Sequence, residues 1–176
     1  MQSSEPPRAQ MRGDDERVSP LVYVTLAIAG LAVLGLDQWT KHIVAGQFLP
    51  LESRVFIPHV LYWTYVQNHA GAFGLFGTKS WLLVVMAVIV LGIFWFAYRE
   101  VAARSLLVRI AFGGIVGGAI GNIVDRFHYG YVVDFVDLRW WPVFNVADSC
   151  ITIGVVLLIL TTFRHEPAAR PRETPV

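Results

Sequence analysis

The sequence contains little charge and almost no cysteine. Only 15% of its 176 residues are charged, whereas 55% are hydrophobic. A formal net charge of +1, with no basic stripe to meet phosphates, argues against a nucleic-acid partner. The single cysteine, Cys150, excludes an internal disulfide and a CxxC metal site. Because Cys150 lies in an apolar run, we interpret it as a buried structural thiol rather than as a nucleophile.

The hydrophobic residues are concentrated in four blocks, each with few or no charges. The blocks cover residues 21–36, 81–98, 110–124 and 149–163. Apolar runs near this length are typical of transmembrane helices. The first block is not a cleaved signal peptide before a soluble domain, since three further blocks follow it. The sequence therefore predicts an all-α membrane protein with four transmembrane helices.

The basic residues predict how these helices are oriented. Nine of the fourteen lie in the two tails and in the loop between the second and third blocks, namely Arg8, Arg12, Arg17, Arg99, Arg104, Arg109, Arg164, Arg170 and Arg172. Lys and Arg are concentrated on the cytoplasmic side of membrane proteins. We therefore predict a membrane domain over 20–164, with outer segments at 37–80 and 125–148. The tails, 1–19 and 165–176, are predicted to be disordered and cytoplasmic.

The outer segments are predicted to contain regular structure. Residues 61–68 are rich in β-branched and aromatic side chains, which favours a strand. Glycines then interrupt regular structure at Gly71, Gly74 and Gly77. Several aromatic residues suit a membrane–water interface; they are Trp39, Tyr62, Trp63, Tyr65, Trp140 and Trp141. We predict a small extracytoplasmic β-sheet and a surface helix, both lying on the outer leaflet.

Glycines in the third block indicate close helix packing. Gly113, Gly117 and Gly121 are spaced four residues apart, which is a doubled GxxxG pattern. Small residues at this spacing let two helix backbones approach each other within a membrane.

Polar and ionisable residues gather at the outer ends of the blocks, where such groups are costly and usually functional. They are Asp37, Lys41, Asn122, Asp125, Arg126, Asp134, Asp137, Asn145 and Asp148. If the four helices pack as one bundle, these side chains would lie at the same depth, near the outer surface of the membrane. Asp37 and Lys41, four residues apart, can pair on a helix, either as a structural ion pair or to hold a substrate. Asn122 shares a helix face with Arg126, and Asn145 shares one with Asp148.

Two acids in apolar surroundings are the strongest signal for chemistry. Asp148 precedes the apolar run 149–163, and Asp134 is flanked by bulky apolar residues. Burial and a second carboxylate both raise a carboxyl pKa, and two acids that share one proton can activate water for peptide hydrolysis. Spacing alone leaves the pair open among Asp125, Asp134, Asp137 and Asp148. We interpret Asp137 as a solvated interface acid.

The histidines do not indicate a metal site. His42, His59, His69 and His128 all lie in or beside the predicted outer segments and lack HExxH spacing. We therefore expect no metal and no other cofactor.

Five blocks of residues together resemble the bacterial lipoprotein signal peptidases, also called signal peptidase II. They cover 37–41, 68–74, 117–126, 132–135 and 144–149, in the family's order. The resemblance extends over about residues 34–159. One departure is visible: the family has Asn-x-Gly-Ala-Ala after the strand, whereas Ala70 and Gly71 are exchanged here.

The resemblance implies that Asp134 and Asp148 are catalytic and that Asp125 is structural. It also implies residues that support the site or contact substrate, namely Asp37, Lys41, Asn68, Asn122, Arg126 and Asn145. The implied substrate is a lipoprotein precursor, cut before a diacylglyceryl-modified cysteine at the outer face of the bacterial cytoplasmic membrane. The chain is expected to be a monomer surrounded by membrane lipids. The competing hypotheses are an ion-coupled transporter and a non-catalytic assembly factor.

Overall fold

The computed structural model describes residues 19–69 and 80–164. The predictions for both tails, for Gly71, Gly74 and Gly77, and for the exchange at Ala70 and Gly71 fall outside these residues. In chain order the elements are α1 (Pro20–Gln47), β1 (Ser53–Ile57), β2 (Leu61–Asn68), α2 (Ser80–Arg104), α3 (Leu106–Tyr129), β3 (Val132–Asp137) and α4 (Val146–Arg164).

The helices confirm a multi-pass membrane protein, but not all four predicted spans. Within residues 19–69 and 80–164, three helices are long and apolar enough to cross a membrane, and they are α1, α2 and α3. The apolar part of α4, Val146–Thr161, is shorter. A helix rises about 1.5 Å per residue, so this stretch is somewhat shorter than a hydrocarbon core of about 30 Å.

The backbone contacts of α3 confirm the predicted close packing. A Cβ atom at Gly113 would lie 2.6 Å from the carbonyl oxygen of Leu26 in α1, and one at Gly117 would overlap the backbone of Gly30. On the side that faces α4, a Cβ at Gly118 would lie 2.8 Å from the carbonyl oxygen of Ala147. Helices α1 and α4 therefore both approach α3 closely, which brings their polar ends to the same level.

Local signals explain how β3 returns to the end of α3. The helix stops at Gly130, whose φ of 79° lies in the left-handed region, and the N–H of Gly130 donates to the carbonyl of Arg126. Glycine adopts this conformation without a Cβ penalty. The chain reverses there, and β3 begins at Val132, beside the helix end that carries Asp125.

The outer segments form a three-stranded antiparallel sheet in the order β1-β2-β3. The predicted strand at 61–68 is confirmed as β2. Its register with β3 pairs Val66 with Asp134 and Asn68 with Val132. This pairing places the side chain of Asn68 next to Asp134, although the two residues are far apart in sequence.

The sheet packs on the end of α1 through a small apolar core. The buried members of this core are Val44, Phe48, Tyr65, Val133 and Phe135. Tyr65 is therefore buried rather than interfacial, because its ring fills this core. Trp39 and Trp140, by contrast, are exposed as predicted. Outside the ends of α1, α3 and α4, the described parts of the outer segments form strands and turns, and they do not include the predicted surface helix.

Candidate active site

A buried ion cluster joins α1 to α3. The ammonium nitrogen Nζ of Lys41 lies 2.8 Å from Oδ2 of Asp37 and 2.9 Å from Oδ2 of Asp125. All three side chains are almost fully buried. The predicted pairing of Asp37 with Lys41 is therefore present as a structural ion pair. A Cβ at Gly121 would lie 2.5 Å from Oδ2 of Asp37, so the third glycine of the pattern makes room for this carboxylate.

Asp125 also fixes the start of β3, which supports its structural interpretation. Its Oδ2 accepts a hydrogen bond of 3.1 Å from the backbone N–H of Val133, and its Oδ1 accepts one of 2.9 Å from Nε2 of Gln38. Gln38 was missed at the level of sequence. Its position next to Asp37, at the outer end of an apolar block, is the sequence feature that could have identified it as part of the site.

The start of α4 is fixed by Asn145, Ala147 and Asp148. The backbone N–H of Ala147 donates to Oδ1 of Asp37 at 2.9 Å. The N–H of Asp148 donates to Oδ1 of Asn145 at 2.9 Å, and the N–H of Asn145 donates back to Oδ2 of Asp148 at 3.3 Å. This reciprocal arrangement is a capping box, in which two helix-end N–H groups find side-chain acceptors. It holds the Asp148 carboxyl group at the first turn of α4.

Two asparagines connect the ion cluster to both candidate catalytic acids. Oδ1 of Asn122 accepts from Nζ of Lys41 at 2.8 Å and from Nδ2 of Asn145 at 3.1 Å. Because an ammonium group only donates, the oxygen of Asn122 must face Lys41. The amide nitrogen Nδ2 of Asn122 therefore points the other way and donates to Oδ1 of Asp148 at 2.8 Å.

Asp134 is held by two further amide donors. Nδ2 of Asn145 donates to its Oδ1 at 2.7 Å, and Nδ2 of Asn68 donates to its Oδ2 at 2.8 Å. The side chain is only 1% exposed. Burial, followed by the negative charge of Asp148, raises the pKa of Asp134 to about 7. A carboxyl group in this state still carries a proton for much of the time near neutral pH.

Asp134 and Asp148 line the same cavity, which has a volume of about 310 Å³. Its polar lining also includes Asn68, Asn122 and Arg126, and its apolar wall includes Trp141, Pro142, Val143, Phe144 and Ile151. Nη1 of Arg126 donates to the carbonyl of Asn122 at 3.0 Å. The buried Nε of Arg126 has no hydrogen-bond partner in the described part of the chain. Arg126 therefore brings an unpartnered buried donor to the set of residues that line the cavity.

The structure brings together all eight residues that the sequence assigned to the site. They are Asp37, Lys41, Asn68, Asn122, Arg126, Asp134, Asn145 and Asp148. The interpretation of Asp137 as solvated is wrong: it is 6% exposed and accepts a 2.6 Å hydrogen bond from Oγ1 of Thr64. Cys150 is only half-buried. Across the described residues, no group of three or more His, Cys, Asp or Glu side chains is arranged to hold a metal.

The fold is similar to that of known membrane enzymes. Two solved structures of a bacterial membrane enzyme match with TM-scores of 0.76 and 0.72 and with 31% and 32% identity. The first match covers 86% of this chain and 95% of the other chain. Apolar helices around a pocket that two carboxyl groups line, together with this likeness, define a multi-pass membrane enzyme.

The chain belongs to the signal peptidase II family, since the family model described as Signal peptidase (SPase) II matches residues 29–164. The lipoprotein signal peptidase of Syntrophomonas wolfei is 48% identical over 130 residues, which are 74% of this chain and 87% of that protein. The lipoprotein signal peptidase of Halothermothrix orenii is 41% identical over 146 residues, which are 83% of this chain and 97% of that protein.

Proposed function

We propose that this enzyme removes signal peptides from lipoprotein precursors by aspartic catalysis and cuts before a diacylglyceryl-modified cysteine. Asp134 and Asp148 are the catalytic pair. The observation that carries this proposal is that both carboxyl groups line one cavity and are bonded into one amide network through Asn122 and Asn145. Family membership supports the substrate class.

In the proposed mechanism a water molecule lies between the two carboxyl groups, which share one proton. The ionised carboxylate takes a proton from the water as the oxygen attacks the scissile carbonyl carbon. The protonated carboxyl group donates to the carbonyl oxygen and stabilises the developing charge. When the tetrahedral intermediate collapses, a proton from the pair passes to the departing amine nitrogen. The network of Asn68 and Asn145 holds Asp134 in place throughout.

Arg126 is proposed to bind the substrate backbone. A signal peptide must leave helical structure at the scissile bond, and each carbonyl that loses its helical partner in an apolar environment needs a new donor. Arg126 lines the cavity and its buried Nε–H has no partner among the described residues, which is why we propose it as such a donor.

The proposed topology has four spans, with α4 as a short fourth span. Its support is the close packing of α4 along α3, where a Cβ at Gly154 would lie 2.9 Å from the carbonyl oxygen of Ala111. We propose that both termini are cytoplasmic and that the sheet and the site face outward from the bacterial cytoplasmic membrane. The exposed rings of Trp39 and Trp140 suit the outer membrane–water interface. We also propose that the enzyme is a monomer among membrane lipids.

A reporter that works only outside the cytoplasm should be active when fused near His59 or Tyr129 and silent near Ala102 or after Arg170. The expectation rests on the distribution of Lys and Arg. Reporter activity measured in whole cells checks it. Activity at Ala102 together with silence at His59 would place the site on the cytoplasmic side.

Precursors whose cysteine lacks the diacylglyceryl group should be cut poorly or not at all by the purified enzyme. The apolar wall of the cavity, which includes Trp141, Val143 and Ile151, gives the lipid-bearing part of the substrate an apolar environment. Cleavage of matched lipidated and unlipidated precursors, followed by gel mobility or mass, measures the preference. Equal rates would show that the lipid is not recognised. Absence of cleavage of either precursor would contradict the peptidase proposal itself.

A further inference from the structure

One wall of the cavity is formed by a loop that is held in place by contacts outside the site. This cavity loop, residues 138–144, joins β3 to α4, and Trp141, Pro142, Val143 and Phe144 line the cavity. Its far end is tied back to β3: the N–H of Phe144 donates to the carbonyl of Val136 at 3.1 Å, and the N–H of Val136 donates to the carbonyl of Phe144 at 2.7 Å. Its near end begins with Leu138 and Arg139.

Arg139 adopts a backbone conformation that disfavours a residue with a side chain. Its φ is 69°, in the left-handed region where a Cβ crowds the carbonyl oxygen. Specific contacts must therefore hold the turn. The guanidinium carbon of Arg139 lies 3.7 Å from the centre of the Tyr62 ring, and Nη2 donates to Oγ of Ser53 at 2.7 Å. The loop is thus fastened to β1 and β2.

Asp137 completes a closed ring of hydrogen bonds with Arg139. Its Oδ1 accepts the backbone N–H of Arg139 at 2.8 Å, and its Oδ2 accepts the hydroxyl of Thr64 at 2.6 Å. Since the hydroxyl proton of Thr64 is given to Asp137, the contact of 2.8 Å between Thr64 and Ser53 has Ser53 as its donor. The ring therefore runs from Arg139 to Ser53, Thr64 and Asp137 and returns to Arg139.

We infer that Asp137 and Arg139 are positioning residues that hold the cavity loop as a substrate-binding wall and so set the affinity for substrate without taking part in bond cleavage. The buried Asp137 does not line the cavity, so its burial in the sheet is explained by this ring and not by contact with the reacting atoms. The inference rests on the proposed peptidase function, because the wall is needed only if a peptide passes the catalytic pair.

Steady-state cleavage of a synthetic precursor fragment that carries a diacylglyceryl cysteine tests the inference in the full-length enzyme. Asp137→Ala removes both acceptors and should raise KM about tenfold while kcat stays within about twofold, since a hydrogen bond to a charged group is lost outside the reacting centre. Arg54→Ala, which removes an exposed pair with Glu52 on the same sheet, should leave both constants unchanged.

A second pair of variants keeps the test decisive if Asp137→Ala does not accumulate. Thr64→Val removes the hydroxyl that donates to Asp137 and should raise KM about threefold, whereas Thr64→Ser retains it and should restore the original KM. An unchanged KM in Asp137→Ala or Thr64→Val, or a loss confined to kcat, would overturn the inference. Failure of the unsubstituted enzyme to cleave the fragment would instead contradict the proposed function.

Discussion

Asp148→Asn should abolish cleavage of a lipidated precursor, with a loss in kcat of about a thousandfold or more, because general acid–base catalysis contributes on the order of 10²–10⁴-fold. Asparagine has nearly the same shape as aspartate, but it neither acts as a base nor shares a titratable proton. One oxygen remains to accept from Asn122 or from the N–H of Asn145, so the start of α4 keeps part of its capping. The protein should therefore still insert and accumulate, as quantitative immunoblotting of membranes would show.

Matched variants separate the catalytic acids from the other buried acid of the site. Asp134→Asn should lose as much activity as Asp148→Asn, since the pair acts as a unit. Asp125→Asn should lose much less turnover, because Asp125 does not line the cavity and contacts Lys41, Gln38 and the N–H of Val133 instead. Near-normal turnover from Asp148→Asn would contradict the proposal that Asp148 is one of the catalytic acids.

The same pair determines the pH dependence. Burial and the charge of Asp148 raise the pKa of Asp134 to about 7, so the folded enzyme holds a proton that the unfolded chain has already released between about pH 4 and pH 7. As the pH rises above about 7, the pair loses its shared proton, and kcat/KM should fall. The free energy of unfolding should also decrease as the pH rises from about 4 to about 7, because over this range the folded enzyme keeps a proton that the unfolded chain has released. The apparent pKa values measured in this way belong to the pair rather than to one residue.

Hydrophobic runs were sufficient to predict the helices, but not their ends. The first block was predicted to end at residue 36, whereas α1 continues to Gln47. The added turns contain Asp37 and Lys41, which read as polar in sequence but are buried as a neutralised pair. Hydropathy cannot distinguish a solvated charge from a paired one, since the partner Asp125 lies on another helix.

The site was predictable where its contacts are local. The pairs Asp37 with Lys41 and Asn145 with Asp148 follow from helical spacing, and the second is a capping box that the sequence displays directly. The choice of Asp134 as partner of Asp148 came only from the family resemblance.

The remaining contacts of the site join elements that are distant in sequence, so residue spacing could not predict them. The bond from Asn68 to Asp134 depends on the register of β2 with β3. The burial of Asp137 depends on Thr64 in the same sheet. Neither pairing is encoded in a local pattern.

Lys41→Met should produce the largest loss of stability among substitutions outside the catalytic pair. Methionine is similar in length but carries no charge, so Asp37 and Asp125 would remain buried at 0% and 1% exposure without the cation between them. Removing one partner from a buried ion pair typically costs about 3–5 kcal/mol, because the remaining charge is desolvated and uncompensated. Thermal unfolding of the purified protein in detergent measures this loss.

Two controls accompany Lys41→Met: one replaces a different basic residue, Arg54, and the other also replaces Asp125, a partner of Lys41. Arg54→Met removes a half-exposed cation that pairs with Glu52, donates to the carbonyl of Gln47 and lies over the Phe48 ring. Its unfolding midpoint should change much less than that of Lys41→Met, because water screens exposed pairs. The double substitution Lys41→Met with Asp125→Asn should recover part of the loss, since it removes one stranded carboxylate and leaves an oxygen for the N–H of Val133. If Lys41→Met unfolds at the same temperature as Arg54→Met, the buried cation is not what holds α1, α3 and the start of α4 together.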